Sequence, residues 1–130
     1  MNLEKKDIES RDDIYLLVKT FYVKLMNDKV MCHFFEEFKN PVHLETHLQT
    51  LVDFWSNILF YTGEYRKNAM QPHLDLQSQM PFETIHFTHW LSSFNQSVDE
   101  LFDGAMAHTA KSRALSIATV MKIKILEINK

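Results

Sequence analysis

Seven histidines in 130 residues carry most of the chemical potential of this chain, since imidazole can bind a metal or move a proton near neutral pH. Two pairs have helical spacing. His43 and His47 are four apart, and His86 and His89 are three apart, so each pair can share a helix face and hold half of a zinc site. No HExxH or CxxC completes either pair. For both, the preferred reading is an ordinary solvated or hydrogen-bonded side chain. Nucleophilic catalysis has no footing, because no GxSxG is present. Cys32 and His33 do not form a dyad by adjacency alone, and Cys32 reads as a small buried hydrophobe. Glu36 and Glu37 read as an exposed turn.

His73 stands apart. In Gln71-Pro72-His73-Leu74-Asp75-Leu76 a proline fixes the backbone just before it, and leucines flank it inside an otherwise polar stretch. That pattern presents one imidazole from a short helix into an apolar slot. Across the slot, Tyr22 and His47 lie on or near apolar helix faces, and Trp90 comes from a third helix. A phenol O–H, an imidazole N–H and an indole N–H all want acceptors when buried. Three such donors at one cavity call for something in it that accepts hydrogen bonds, as a ligand carried by a metal would.

The elements that must position these groups are helical. A first helix is expected from a Ser10 cap, with Asp12 and Asp13 at its positive end. Ile14, Leu17, Val18, Phe21, Tyr22 and Leu25 recur at steps of three and four before the pattern fades at Asn27-Asp28. One or two aromatic turns follow over His33 to Phe38, broken at Asn40-Pro41. A second long helix runs from about Val42 to Tyr61, with Leu44, His47, Leu48, Leu51, Phe54, Trp55, Ile58 and Leu59 on one stripe, and stops at Thr62-Gly63. Glu64 to Met80 reads as a loop holding a short helix from about Pro72. Pro81 precedes a third helix, Phe82 to about Phe102, and Asp103-Gly104 separates it from a last one, Ala105 to Ile128.

Composition supports this reading. The chain has 2 Gly and 3 Pro, where average usage gives about 16 of the two together. Sandwiches, hairpin stacks and Gly-rich phosphate loops need turn residues that this sequence lacks. One all-α domain over residues 1–130 is expected, with 1–9 as a loose extension or short helix. The net charge of −3, with no long basic tract, leaves no electrostatic footprint for nucleic acid or anionic lipid. No secretory leader and no apolar run long enough to span a bilayer is read, and a single cysteine fits a reducing compartment. A cytoplasmic location is therefore expected, and a monomer, because the best apolar stripes are already needed inside.

Over nearly its whole length the chain resembles the bacterial truncated haemoglobins, specifically group III. The resemblance is carried by Phe21-Tyr22-Val23-Lys24, Phe34-Phe35, His47, Asp53-Phe54-Trp55, His73-Leu74-Asp75-Leu76, Pro81-Phe82 and Trp90-Leu91, in that order. It implies a 2-over-2 helical sandwich around haem. It also implies that His73 is the proximal iron ligand and that Tyr22, His47 and Trp90 surround a distal ligand. Phe35, rather than Phe34, would pack on the porphyrin. Leu51, Phe54, Trp55, Leu76 and Phe82 would line the cofactor with His47 and Trp90. Thr50 departs from the pattern: relatives often carry a basic residue there for a haem propionate, which leaves Arg66 or Lys67 for that task.

No Cys-x-x-Cys-His is present, so the implied cofactor is haem b held without thioether bonds. The expected partners are O2, CO, NO or a similar small ligand, with a reductase as a further candidate. Three readings compete. The first is a globin that binds a diatomic ligand. The second is an enzyme for peroxide reduction or NO detoxification at the same site. The third is a cofactor-free helical bundle that binds a partner protein.

Overall fold

The computed structural model describes residues 5–60 and 83–128, with side chains through residue 124. It contains α1 (Arg11–Asn27), a 3-10 helix (Cys32–Lys39), α2 (Pro41–Phe60), α3 (Thr84–Leu101) and α4 (Ala105–Ile128). No strand occurs among the described residues. The all-helical reading holds, and the helix ends fall close to those read from the sequence. The 64–80 insert, with its short helix near Pro72, lies outside the described residues, as do Thr62-Gly63 and Pro81.

Each helix starts where a side chain takes up free N–H groups. Ser10 caps α1, its hydroxyl accepting the Asp13 N–H at 3.2 Å; such a cap stabilises a helix by about 1 kcal/mol. Asp13 is buried in that first turn, and its carboxylate accepts from Lys6 Nζ and the Glu9 N–H, both at 2.9 Å. Asn40 Oδ1 accepts the Val42 N–H at 2.9 Å, so Pro41 opens α2 where its missing N–H costs nothing. Glu83 and His86 cap α3 reciprocally, the Glu83 N–H donating to His86 Nδ1 at 2.7 Å. The start of α4 is capped from a distance. The Asp7 carboxylate accepts the Met106 and Ala107 N–H groups, each at 2.8 Å. The turn before it passes through Gly104 at φ +143°.

Residues 5–9 are not helical. Ile8 is buried in the core, and the Lys6 carbonyl accepts the Asp103 N–H at 3.0 Å. The beginning of the described chain is thereby fastened to the α3–α4 corner.

Helix α1 packs on α2 and on α3, α3 packs on α4, and the 3-10 helix lies against α1 and α2. Two helix pairs, α1–α2 and α3–α4, thus meet along the α1–α3 seam. The core runs through Ile14, Leu17, Val18, Phe21 and Leu25 of α1, Leu48, Val52 and Trp55 of α2, and Trp90, Phe94 and Val98 of α3. Each large apolar side chain fully buried there contributes roughly 1.5–3 kcal/mol. The buried stripe of α4 is mostly alanine: Ala107, Ala110, Ala114 and Ala118, closed by Met121. Ser93 and Ser97 of α3 are buried as well, the Ser97 hydroxyl donating to the Ser93 carbonyl at 2.8 Å. The small side chains of α4 let its axis approach the neighbouring helix closely.

Candidate functional site

Tyr22 sits in the fourth turn of α1, on the helix's buried face, with 3% of its surface exposed. His47 sits in the second turn of α2 and is half-buried. Because α1 packs on α2, the two side chains meet: Tyr22 Oη and His47 Nε2 are 2.7 Å apart. Burial holds the Tyr22 hydroxyl above the ordinary phenol range. It is therefore a neutral O–H at any physiological pH. The proton on the shared hydrogen bond belongs to one partner or the other according to the imidazole tautomer.

An aromatic wall surrounds this pair. Phe35 meets the Tyr22 ring edge-on at 5.5 Å between centroids. Phe38 meets Tyr22 at 5.9 Å and lies almost parallel to the His47 imidazole, 4.7 Å away with 21° between planes. Phe34, by contrast, faces His33 at 4.0 Å and His86 at 4.8 Å. The segment is kinked at Phe35 (φ −120°, ψ 23°), and the Phe35 and Phe38 rings lie nearly parallel, 6.2 Å apart, on the Tyr22 side. In the sequence Phe38 reads only as part of the aromatic turns; its place beside Tyr22 and His47 comes from the structure.

Trp90 is buried on α3. Phe21 links it to the Tyr22 side: the Phe21 ring stands edge-on to Tyr22 and to Trp90, both at 5.5 Å. Phe94 stacks with Trp90 at 6.2 Å and with Trp55 at 5.0 Å, which fastens both indoles to the core. Trp55 is 4% exposed, and its ring neighbours are Phe94 and Phe54. Leu51, one turn beyond His47, and Phe54 are half-buried on α2 and packed against the core. His73, Leu76 and Phe82, with Arg66 and Lys67, lie outside the described residues.

The remaining histidines have ordinary duties. His43 is exposed. His89 Nδ1 pairs with Asp28 Oδ2 at 2.8 Å, tying α3 to the end of α1. His86 keeps its Nδ1 as an acceptor for the α3 cap; burial, with His33 nearby, holds it below the usual imidazole range. Among the described residues, no group of three or more His, Cys, Asp or Glu side chains could hold a metal ion. Cys32, at the start of the 3-10 helix, is half-buried rather than buried. Among the described residues no helix is long and apolar enough to cross a membrane.

The arrangement is a neutral O–H and an imidazole, set in apolar walls, with a buried indole one ring away. It can donate hydrogen bonds to a small, weakly basic molecule. Among the described residues, no carboxylate or ammonium group is paired with the Tyr22 hydroxyl.

Comparison with known proteins agrees with the sequence resemblance. No family model matches the chain. It is 28% identical over 112 residues to a group 3 truncated haemoglobin of Campylobacter jejuni, covering 85% of this chain and 86% of that protein. The crystal structure of a group III truncated haemoglobin from Campylobacter jejuni superposes with a TM-score of 0.83 at 25% identity, covering 93% of this chain and 94% of the other. The fold is the all-α truncated-globin fold.

Proposed function

From a chain with the sequence likeness and the fold of the group III truncated haemoglobins, we propose a globin that holds haem b non-covalently and takes O2 or another diatomic molecule beside Tyr22, His47 and Trp90. The observation that carries this reading is the Tyr22–His47 hydrogen bond of 2.7 Å, set in an aromatic wall within this fold. A pair of this kind, with its hydroxyl buried, costs desolvation and contributes little net stability. It is understandable where a polar guest must be recognised.

The group fits the residues present. Phe35 offers a flat apolar surface on the Tyr22 side, and Leu51 and Phe54 extend the apolar lining along α2. In this reading His73 holds the iron, and Leu76 and Phe82 complete the lining. The haem supplies an iron able to take a diatomic ligand.

The chain's own residues then decide how firmly that ligand is kept. Tyr22 has one proton. If His47 donates from Nε2 to the Tyr22 oxygen, the Tyr22 O–H is released to donate to the guest. If Tyr22 donates to His47, the guest loses that bond. The tautomer of His47 therefore sets the polarity of the pocket. A bound diatomic with partial negative charge gains roughly 1.5–3 kcal/mol from each charge-assisted donor. Two donors would slow its departure by orders of magnitude, which suits sensing, scavenging or chemistry on the ligand better than bulk delivery. A reductase is the partner that such a role calls for, and a monomer is the proposed state.

Absorption spectra of the purified full chain, oxidised, reduced and reduced under CO, test the reading. A Soret band that shifts with CO supports it, and a colourless chain that takes up no added haemin overturns it.

A further inference from the structure

We infer that Phe38 is a positioning residue for the distal pair: its ring fixes the plane of the His47 imidazole so that Nε2 meets the Tyr22 hydroxyl. The inference rests on the reading of Tyr22 and His47 as the ligand-facing pair.

A histidine ring has two degrees of freedom that matter here, the plane it lies in and which edge it presents. The 2.7 Å contact to Tyr22 settles the edge, because rotating the ring by half a turn would replace Nε2 by a carbon. That hydrogen bond does not settle the plane, since a hydroxyl accepts or donates over a broad cone. His47 is half-buried in the second turn of α2. The plane is set by Phe38, stacked on it at 4.7 Å and 21°.

Phe38 is itself well held. It touches Phe35 at 6.2 Å, nearly parallel, and meets Tyr22 at 5.9 Å and 68°. Its ring thus contacts Tyr22, Phe35 and His47 together. An aliphatic side chain of similar size would fill the space without defining a plane. On the scale of a ring–ring contact, losing the stack should lower the share of molecules with the Tyr22–His47 bond formed by about two- to tenfold.

The test uses the full-length chain as purified, ¹⁵N-labelled, as wild type, Phe38→Leu and Phe38→Tyr. Two quantities are read: the His47 imidazole nitrogen shifts by NMR, and the C–O stretching band of the reduced protein under CO. The inference expects Phe38→Leu to move the nitrogen shifts toward those of a free imidazole and to broaden or split the C–O band. It expects Phe38→Tyr, which keeps the ring, to retain wild-type values. It is overturned if Phe38→Leu leaves both unchanged, or if Phe38→Tyr disturbs them as much as Phe38→Leu does. Absence of any haem band in all three proteins would overturn the cofactor reading instead, and the nitrogen shifts would still decide on Phe38.

Discussion

Tyr22 and His47, separated by 25 positions in sequence and carried by different helices, meet at 2.7 Å through the hydroxyl and Nε2. The contact exists because α1 packs on α2, and it is framed by Phe35 and Phe38 from the 3-10 helix between them.

Tyr22→Phe removes one oxygen from a buried site and leaves His47, which is half-buried, with water as an alternative partner. Stability should change by no more than about 1 kcal/mol. Ligand release should respond far more: losing one charge-assisted donor speeds O2 dissociation by roughly ten- to hundredfold. Stopped-flow displacement of O2 by CO measures this. Unaltered release would remove Tyr22 from the ligand's surroundings.

Asp7 gives the fold a dependence on acid. Burial works against its charge, but the Met106, Ala107 and Ile8 N–H groups together hold its carboxyl below the ordinary range. Asp13 and Asp28 are lowered in the same sense, against burial, by Lys6 and by His89 with their backbone donors. A depressed carboxylate contributes stability that is present above its unfolded pKa, near 3.9, and lost as pH falls through the folded value. The melting temperature should therefore fall steeply below about pH 4. Asp7→Asn should be less stable at pH 7 and show a shallower acid slope, measured by thermal melts from pH 7 to pH 3.

Gly104 and Asp7 are coupled sterically. A Cβ at position 104 would come within 2.5 Å of the Asp7 carboxyl carbon, on a backbone with φ +143°. Gly104→Ala should cost about 1–3 kcal/mol from backbone strain, with displacement of the α4 cap in addition. In an Asp7→Ala background the cap is already gone, so the second substitution should cost less than it does alone. Chemical denaturation of the four proteins of the cycle gives the coupling; strict additivity would rule it out.

Phe94 is fully buried and stacks with both tryptophans. Phe94→Ala should destabilise the fold by about 3–5 kcal/mol and change the fluorescence of both indoles. A loss under 1 kcal/mol in urea unfolding would mean that Phe94 does not fasten the two indoles to the core.

Much of the helical frame was legible because its signals are local. Ser10, Asn40-Pro41 and Asp103-Gly104 mark helix ends by chemistry confined to a few residues, and scarcity of Gly and Pro excluded other classes. Tyr22 and His47 could be singled out as polar groups on apolar faces. Their contact could not, since the way α1 crosses α2 is a tertiary property. The α2 stripe shows the same limit. Periodicity placed Leu51, Phe54 and Trp55 among the buried residues, but it could not reveal that Trp55 stacks with Phe94. The role of Phe38 was not legible because its place beside Tyr22 and His47 depends on how the kinked segment lies against α1 and α2, which is a tertiary property. Asp7 escaped notice because its hydrogen-bond partners lie about a hundred residues away.

The most direct test of the account is the visible spectrum of the purified chain beside that of His73→Ala, each oxidised, reduced and reduced under CO. The account predicts a Soret band in the wild type that sharpens and shifts under CO. It predicts loss of the band, or haem retained only weakly, in His73→Ala. A wild-type chain with no Soret band even after haemin is added, or a His73→Ala variant with spectra and haem retention identical to wild type, would contradict it.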